Sequence, residues 1–338
     1  MNFSLTNEQI KLIEAVKNTL KTFDDQYWLK VDTENTFPSK FVQTIADGGW
    51  LGIAMPEKYG GSNLGVTEAA LMMMTIAEIG GMTAASSIHM NIFGPSSLVK
   101  FGNNNQKAEW LPNIIKGKNK MCFAVTEPDS GLDTTRLKTK AILNGDYYIV
   151  NGRKIWTSTA QIADKIMILA RTSERTTSNP TNGLSLFFTD FDKQNIEARI
   201  IDKMGRSAVD TNELFIDNLK IPKKDLIGEE GKGFHYIIHS LNPERILVAA
   251  EAYGIAKNAL DRAAKYANER IVFEQPIGKN QSIQHPLADG WAKIEAAKLM
   301  FLKAASLYDK NLPCGLEANA AKYLAAEFGM EICKQAIA

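Results

Sequence analysis

The chain has 338 residues, of which 45% are hydrophobic and 23% charged, and its formal net charge is +1. This is the composition of a globular protein with room for two or three domains, and the near-neutral charge gives no reason to expect a nucleic-acid partner. The three cysteines, Cys122, Cys314 and Cys333, are far apart and show neither metal-ligand spacing nor a disulfide framework, which is typical of a reducing compartment.

The N-terminal residues are polar and acidic. They lack the basic region and the following apolar stretch of a signal peptide. No apolar run along the chain approaches the ~20 residues that a membrane-spanning helix needs. We therefore expect a cytoplasmic protein without a membrane span.

The first third of the chain has the patterns of helices. Thr6 and Gln9 form a capping box before an apolar-periodic stretch, which predicts the start of a helix. Pro38 opens a second predicted helix, which Gly48-Gly49 ends. Three further helices are predicted: one over about Thr67 to Ile79, one that ends at Gly94-Pro95, and one that carries Trp110 and ends near Gly117.

The middle third changes to the spacing of strands. Short apolar or alternating runs are separated by Gly, Asn and Asp, which is the pattern of strands joined by turns. The predicted strands are Met121 to Glu127, Tyr147 to Val150, Lys165 to Arg171, Leu184 to Phe188 and Glu213 to Asp217.

The last third is helical again and rich in Ala, with helices predicted over 242–270, about 288–309, and after Gly315. The order helices, strands, helices predicts an α+β fold that is mostly α, and it excludes an alternating parallel sheet. We predict an N-terminal helical domain (1–120), a middle antiparallel β domain (121–228) and a C-terminal helical bundle (229–338).

Several common site patterns are absent from the sequence. It contains neither G-x-G-x-x-G nor G-x-x-x-x-G-K-[ST], so a nucleotide cofactor would not be held by a Rossmann turn or a P-loop. The glycine-rich stretch Gly228 to Phe234 is interpreted as a connecting loop. His235 and His239 share a helix face, but no third ligand lies at metal-site spacing, and we predict no metal.

Two residues with possible chemistry have alternative interpretations. The run Asn242-Pro-Glu-Arg245 has the pattern of a helix start, where the macrodipole would favour the Glu244 carboxylate and lower its pKa. The alternative, which is compatible with a helix start, is that Glu244 is a general base with a pKa raised by burial beside a ligand. Trp156 fits either a core position or an indole that lies against a planar cofactor, with Ser158 beside it as a donor.

Three sets of residues together resemble the acyl-CoA dehydrogenase family. They are the run Phe123 to Asp133 with its Thr126-Glu-Pro128 turn, the run Lys154 to Ser158, and the spacing of Arg270, Phe273 and Gln281. The resemblance extends from about Leu5 to the end of the chain, in the family's domain order. It implies an FAD-dependent enzyme.

The resemblance also implies roles for individual residues in binding the cofactor. Backbone and hydroxyl groups would face the flavin ring, Trp156 would cover one of its faces, and a later stretch would hold the adenosine-diphosphate half of an FAD in a neighbouring subunit. That arrangement implies a homo-oligomer, a dimer or a tetramer. The cofactor-binding residues predicted in this way are Val125, Thr126, Gly131, Trp156, Thr157, Ser158, Arg270, Phe273 and Gln281.

The reaction that the resemblance implies is α,β-dehydrogenation of an acyl-CoA to the trans-2-enoyl-CoA. Glu244, followed by Arg245, matches the base position of the isovaleryl- and long-chain branches, and would remove the α-proton while a hydride leaves Cβ for flavin N5. Asn242, Arg245 and Leu132 would lie near the substrate, and an electron-transfer flavoprotein would accept the electrons. The family's other base position would lie beyond Ala338, in a C-terminal segment that we expect the chain to lack.

The chain departs from the family pattern at Leu132, where a Ser or Thr is usual, and at Thr157-Ser158, where Ile-Thr is commoner. These departures leave two alternatives open. One is an oxygen-using acyl-CoA oxidase or a flavin monooxygenase relative. The other is a flavin-binding homologue without catalytic activity.

Overall fold

The computed structural model describes residues 4–338, and it confirms the predicted order of helices, strands and helices. The helices are α1 (Asn7–Leu20), α2 (Asp25–Thr33), α3 (Ser39–Asp47), α4 (Val66–Phe93), α5 (Ser96–Phe101), α6 (Asn104–Ile115), α7 (Gly233–Glu269), α8 (Gln281–Asp309) and α9 (Gly315–Ile337). The strands are β1 (Met121–Ala124), β2 (Lys140–Asn144), β3 (Tyr147–Ser158), β4 (Lys165–Arg171), β5 (Leu184–Asp190), β6 (Ile196–Ile200), β7 (Thr211–Pro222), β8 (Leu226–Ile227), β9 (Ile271–Val272) and β10 (Gln275–Pro276).

The predicted capping box is present at the start of α1. The Thr6 hydroxyl accepts from the Gln9 backbone N–H at 3.2 Å, and the Gln9 side-chain oxygen accepts from the Thr6 N–H at 3.0 Å. Both bonds satisfy amides that the first turn of a helix leaves without partners. The local sequence is therefore enough to place this helix end.

Helix α4 covers both helices predicted in this region, over Thr67 to Ile79 and up to Gly94-Pro95, and it is interrupted between them at Gly81. The backbone there has φ 67° and ψ −165°, which glycine adopts without a Cβ clash. Contrary to the expectation from the sequence, the stretch Val66–Phe101 is long and apolar enough to cross a membrane. Its most apolar window is 78% buried within the protein, as in a core helix of a soluble protein.

The strands β1 to β8 form one eight-stranded sheet in the order β6-β7-β3-β2-β4-β5-β8, with β1 beside β4. The sheet is mostly antiparallel, as predicted, but β1 and β2 each pair with β4 in parallel. Neither β2 nor β6 was predicted. Each buries a single residue, so neither has the apolar alternation by which a strand is detected.

Strand β4 shows that the sheet packs against a hydrophobic cluster on each of its two faces. Its residues Ile166 and Ile168 belong to one buried cluster, and Met167 and Leu169 belong to another. Successive side chains of a strand point to opposite faces, so the continuous apolar run from 166 to 170 places β4 between two cores.

By internal packing the chain divides into two compact units. The first unit joins the N-terminal residues through Trp28, residues Leu64–Ala85 and residues Asn242–Ala338. The second unit joins residues Leu29–Asn63 and Ser86–Leu241, and contains the eight-stranded sheet. The three sequential domains proposed from the sequence are a different division of the chain and stay a prediction.

The start of α7 differs from the prediction. The helix begins at Gly233, and Pro243 lies within it, so Glu244 is not in the first turn and the macrodipole interpretation of this residue is wrong. An internal proline costs about 3 kcal/mol. Buried residues on both sides, including Ile237 and Ile246, stabilise the helix enough to offset that cost.

In the first unit, the carboxylate of Asp309 caps the start of α4. Asp309 Oδ1 accepts from the Val66 N–H at 2.7 Å, and Oδ2 accepts from the Thr67 N–H at 2.9 Å and its hydroxyl at 2.6 Å. The carboxylate therefore satisfies two amides at the N-terminus of a helix that lies far away in sequence.

We predict that Asp309→Ala lowers the free energy of unfolding by about 1–2 kcal/mol, as loss of a helix cap does. Urea unfolding of the purified protein measures this. Asp261→Ala is the matched control, because the exposed Asp261 forms an ion pair with Lys257 on the same helix and its loss should change stability little. Equal effects of the two substitutions would show that Asp309 is not a cap.

Candidate functional site

The structure brings together two of the segments that carry the family resemblance. The Ile155 N–H donates to the Thr126 carbonyl oxygen at 2.9 Å, and Lys154 Nζ donates to the Val125 carbonyl oxygen at 2.9 Å. The end of β1 is thus joined to the last residues of β3 within the second unit. The turn at Thr126 therefore lies beside the exposed Trp156.

Trp156 lies in an irregularity of β3. The register of β3 against β7 shifts between Lys154 and Thr157, and Trp156 has a φ of 63°. A bulge redirects a side chain, and a left-handed backbone at a bulky residue costs roughly 1–3 kcal/mol. The indole is 60% exposed, so the strained backbone directs a large aromatic surface away from the core. This geometry fits a planar ligand such as a flavin.

Polar groups border the exposed indole. Ser158 is largely buried and Thr126 half-buried, and within residues 4–338 neither side-chain hydroxyl has a hydrogen-bond partner. Val125 is buried at the end of the strand, whereas Gly131 and Leu132 are exposed. Unpartnered hydroxyls beside an exposed ring are the groups that a flavin, with its ring nitrogens and carbonyl oxygens, would need.

Thr157 differs from its neighbours. It has no exposed surface, and its hydroxyl is buried without a hydrogen-bond partner in the part of the chain that the structure describes. It therefore offers no surface to a ligand in this conformation, and its predicted direct contact with the cofactor gives way to a supporting position behind Trp156. A buried hydroxyl without a partner costs about 1–3 kcal/mol.

We predict that Thr157→Val raises the free energy of unfolding by about 1–3 kcal/mol, because valine keeps the shape and removes the unpaired hydroxyl. Affinity for FAD should not change. Thr189→Val is the control with the opposite sign, since the Thr189 hydroxyl donates to Asp225 Oδ2 at 2.7 Å. A Thr157→Val protein less stable than the wild type would contradict the prediction.

A buried ion pair joins the Thr126 turn to β3. Lys154, at 0% exposure, donates from Nζ to Glu127 Oε1 at 3.0 Å. The Glu127 carboxylate also accepts from the backbone N–H groups of Lys138 and Thr139, at 2.6 and 2.9 Å. Sequence reasoning missed this pair. The signal was the alternation of β3, which places Lys154 on the same inward face as Tyr148 and Val150.

The two charges perturb each other's titration. Burial lowers the pKa of the Lys154 ammonium to about 8, although the Glu127 charge opposes that change. Burial alone would raise the pKa of Glu127, but the Lys154 charge and the contacts with Lys138 and Thr139 outweigh it and hold the pKa below its ordinary value. Both groups are therefore predominantly charged at neutral pH.

The third segment of the resemblance lies in the first unit. Arg270 lies between the end of α7 and the start of β9, Phe273 is at the tip of the β9–β10 hairpin, and Gln281 begins α8. Phe273 is 94% exposed and has a φ of 49°, and both Arg270 and Gln281 are exposed. An exposed aromatic tip with polar flanks is suited to contact another molecule.

Glu244 also belongs to the first unit. It is half-buried inside α7, and the neighbouring Arg245 donates from Nη1 to Asn242 Oδ1 at 3.2 Å. Asn242 and Arg245 therefore hold each other's position one turn apart. This contact orients two of the three residues that were predicted to lie near the substrate, and it leaves the Arg245 guanidinium with further donors.

The histidine pair of α7 packs against an aromatic ring. The rings of His235 and His239 lie 5.8 and 5.4 Å from the ring of Phe101, measured between centroids. Burial first, and then the charges of Lys100 and His235, lower the pKa of His239. Both histidine rings therefore contribute to packing around Phe101.

Family models match the chain in three consecutive segments. The acyl-CoA dehydrogenase N-terminal domain matches residues 6–118, the middle domain matches residues 122–219, and the C-terminal domain matches residues 231–338. Together the three segments include every residue that was predicted to bind the cofactor or the substrate.

Curated relatives match over most of the chain. The chain is 36% identical to the probable acyl-CoA dehydrogenase YngJ of Bacillus subtilis, covering 100% of this chain and 88% of the relative. It is 36% identical to a 3-(aryl)acrylate reductase of Clostridium sporogenes, with 91% and 81% covered. It is 33% identical to the caffeyl-CoA reductase-Etf complex subunit CarC of Acetobacterium woodii, with 98% and 87% covered.

Solved structures share the fold. The glutaryl-coenzyme A dehydrogenase in its glutaryl-CoA complex superposes with a TM-score of 0.93 at 32% identity, covering 100% of this chain and 86% of that one. The FAD complex of PigA superposes with a TM-score of 0.94 at 25% identity, covering 100% and 88%.

Proposed function

Because the chain belongs to the acyl-CoA dehydrogenase family, we propose that it oxidises the Cα–Cβ bond of an acyl-CoA thioester to give the trans-2-enoyl-CoA. Family membership makes the chain a flavin-dependent oxidoreductase with FAD as its cofactor. When bound, FAD accepts the two electrons and the β-hydrogen. The observation that carries the proposal is the exposed Trp156, held in its bulge beside the Thr126 turn.

Residues of the second unit would hold the flavin end of FAD. Trp156 would cover one face of the ring, and the hydroxyls of Thr126 and Ser158, which have no partner among the described residues, would bond to its polar edge. Val125 would contribute through its backbone, and Gly131 is open to a ligand. Arg270, Phe273 and Gln281 would hold the adenosine-diphosphate half of an FAD in a second subunit, as the resemblance implies.

Glu244 is our proposal for the general base that removes the α-proton. Its support is the Glu244-Arg245 pair, which resembles the base position of the isovaleryl- and long-chain branches. The helix interior holds the carboxylate on a rigid element, as a base must be held to reach one proton. Asn242, Arg245 and the exposed Leu132 would contact the substrate.

Two assembly proposals follow. The exposed hairpin tip at Phe273 supports a homo-oligomer, because by resemblance this stretch reaches a neighbour's cofactor. An electron-transfer flavoprotein is the proposed acceptor, and its support is the relative CarC, which is named as a subunit of a complex with Etf. Light scattering that finds a flavin-loaded monomer would overturn the first proposal. If no electron-transfer flavoprotein that is tested reoxidises the reduced enzyme, the proposal of this acceptor is overturned.

Reduction of an enoyl thioester is the second candidate function. Its support is that two of the relatives are named as reductases, one of 3-(aryl)acrylate and one of caffeyl-CoA. The same site would run in the opposite direction, with Glu244 returning a proton to Cα. Which direction prevails depends on the potentials of the substrate pair and of the electron partner.

The experiment that tests these functions is a panel of thioesters scored by flavin absorbance without oxygen. Saturated acyl-CoAs of different length and branching are added to the oxidised protein, and enoyl-CoAs are added to the dithionite-reduced protein. We expect bleaching by at least one saturated acyl-CoA. Reoxidation by enoyl-CoAs without any bleaching would favour the reductase. A protein that responds to neither set would support the non-catalytic alternative.

Repeating the panel of thioesters in air distinguishes an oxidase from a dehydrogenase. A dehydrogenase reduces an artificial dye or an electron-transfer flavoprotein and releases little peroxide. Stoichiometric peroxide with each turnover would identify an oxygen-using enzyme instead.

A further inference from the structure

The buried ion pair between Glu127 and Lys154 has no role in the function proposed above. Lys154 has no exposed surface and Glu127, which directly follows Thr126 in the turn, is 5% exposed. Taking two charges out of water costs several kcal/mol per ion, which their attraction repays only in part. An apolar pair of similar volume would hold the fold as well, so stability alone does not account for charges at this position.

The geometry of the pair indicates what the charges do. Lys154 Nζ contacts the Val125 carbonyl oxygen as well as the Glu127 carboxylate, at 2.9 and 3.0 Å. The carboxylate in turn accepts the two amides at Lys138 and Thr139. Two side chains therefore connect three backbone segments, namely the end of β1, the loop that leads to β2, and β3 immediately before Trp156.

These contacts adjoin the bulge in β3, where Trp156 has its left-handed backbone. Trp156 follows Lys154 by two residues, and the Ile155 N–H between them donates to the Thr126 carbonyl oxygen. An exposed aromatic residue with a left-handed backbone persists only where its surroundings fix it. Lys154 on one side and the bond at Ile155 supply that constraint.

We propose that Glu127 and Lys154 are positioning residues that set the Thr126 turn and the Trp156 bulge in one arrangement before the cofactor arrives. The pair acts through the backbone of residues 125–126 and 155–156, which face the ligand, and the identity of that ligand as FAD rests on the proposed function. A site that is fixed in advance avoids the cost of ordering its groups during binding.

The first test needs no cofactor. Amide hydrogen exchange is measured on the apoprotein for the wild type, Lys154→Met and Glu127→Gln. We expect the amides of Ile155, Lys138 and Thr139 to exchange about tenfold faster or more in the variants, while those of 166–170 in β4 are unchanged. Unchanged exchange at all three amides in both variants would overturn the proposal.

The second test uses FAD itself, titrated into the apoproteins and followed by fluorescence and by visible circular dichroism of the bound flavin. We expect the dissociation constant to rise about 10- to 100-fold in Lys154→Met and Glu127→Gln, with an altered flavin dichroism. Lys138→Met is the matched control, because that lysine side chain is exposed and its ion pair is with the exposed Asp129. It should bind FAD as the wild type does.

A second control separates positioning from simple loss of stability. Leu169→Ala removes a fully buried side chain of β4 and destabilises the same unit, but it removes none of the hydrogen bonds of Glu127 or Lys154. If Leu169→Ala weakens FAD binding and alters its dichroism as much as Lys154→Met does, the pair is only structural and the proposal fails. A wild-type protein that binds no FAD would overturn the proposed function, while the exchange measurements would still decide whether the pair fixes the turn.

Discussion

Glu244→Gln is expected to bind FAD and acyl-CoA as the wild type does and to undergo flavin reduction about 10²- to 10⁴-fold more slowly, the usual worth of a positioned general base. Glutamine keeps the size of the side chain and the helix, but it cannot accept the α-proton. Since Glu244 lies inside α7 and not in its first turn, a helix-dipole effect does not compete with this explanation. Stopped-flow absorbance under anaerobic conditions measures the rate.

Glu269→Gln is the matched control. Glu269 is the last residue of the same helix and is exposed, so its replacement should leave the reduction rate unchanged. Reduction of the Glu244→Gln protein at close to the wild-type rate, with a reactive thioester from the panel, would show that another group is the base.

Breaking the buried ion pair is expected to produce the largest loss of stability. Lys154→Met should lower the free energy of unfolding by about 3–5 kcal/mol, because it leaves a buried carboxylate without its counter-charge. Glu127→Gln should be destabilising for the converse reason. Denaturant unfolding of the apoproteins at pH 7 measures both changes.

The double substitution Glu127→Gln with Lys154→Met should recover much of that loss. Glutamine retains an oxygen that can accept from the amides of Lys138 and Thr139, and no unpaired charge remains. Strict additivity of the two single losses would contradict the assignment of a direct interaction. A control cycle is available in the exposed pair Arg199 and Glu197, which should couple weakly.

The contribution of Glu127 should also depend on pH. Its pKa in the folded protein is below its ordinary, unfolded value, so the unfolded chain binds the proton more readily. The stabilisation is therefore complete above the unfolded pKa and is lost as the pH falls through the folded pKa. Unfolding measured from pH 7 to pH 3 should show the wild type and Glu127→Gln converging at the acid end. A constant difference over that range would mean that the carboxylate titrates as it does in the unfolded chain.

The sequence predicted those structural features of the protein that depend on local interactions. The capping box at Thr6, the helix stop at Gly48-Gly49 and the continuous apolar run of β4 each depend on residues a few positions apart. The order of helices and strands follows from the same periodicities. The motif residues themselves, from Thr126 to Ser158, indicated the family before any contact was known.

The tertiary structure alone decided the features that depend on distant residues. Helix α7 continues through Pro243 because buried side chains on both sides outweigh a local cost. The left-handed backbone of Trp156 lies where the register of β3 against β7 shifts, and the Glu127–Lys154 pair exists only because the ends of β1 and β3 lie together. Sequence periodicity reports which face of an element is buried. It does not report which distant segment of the chain that face will contact. The candidate site is built from such long-range contacts.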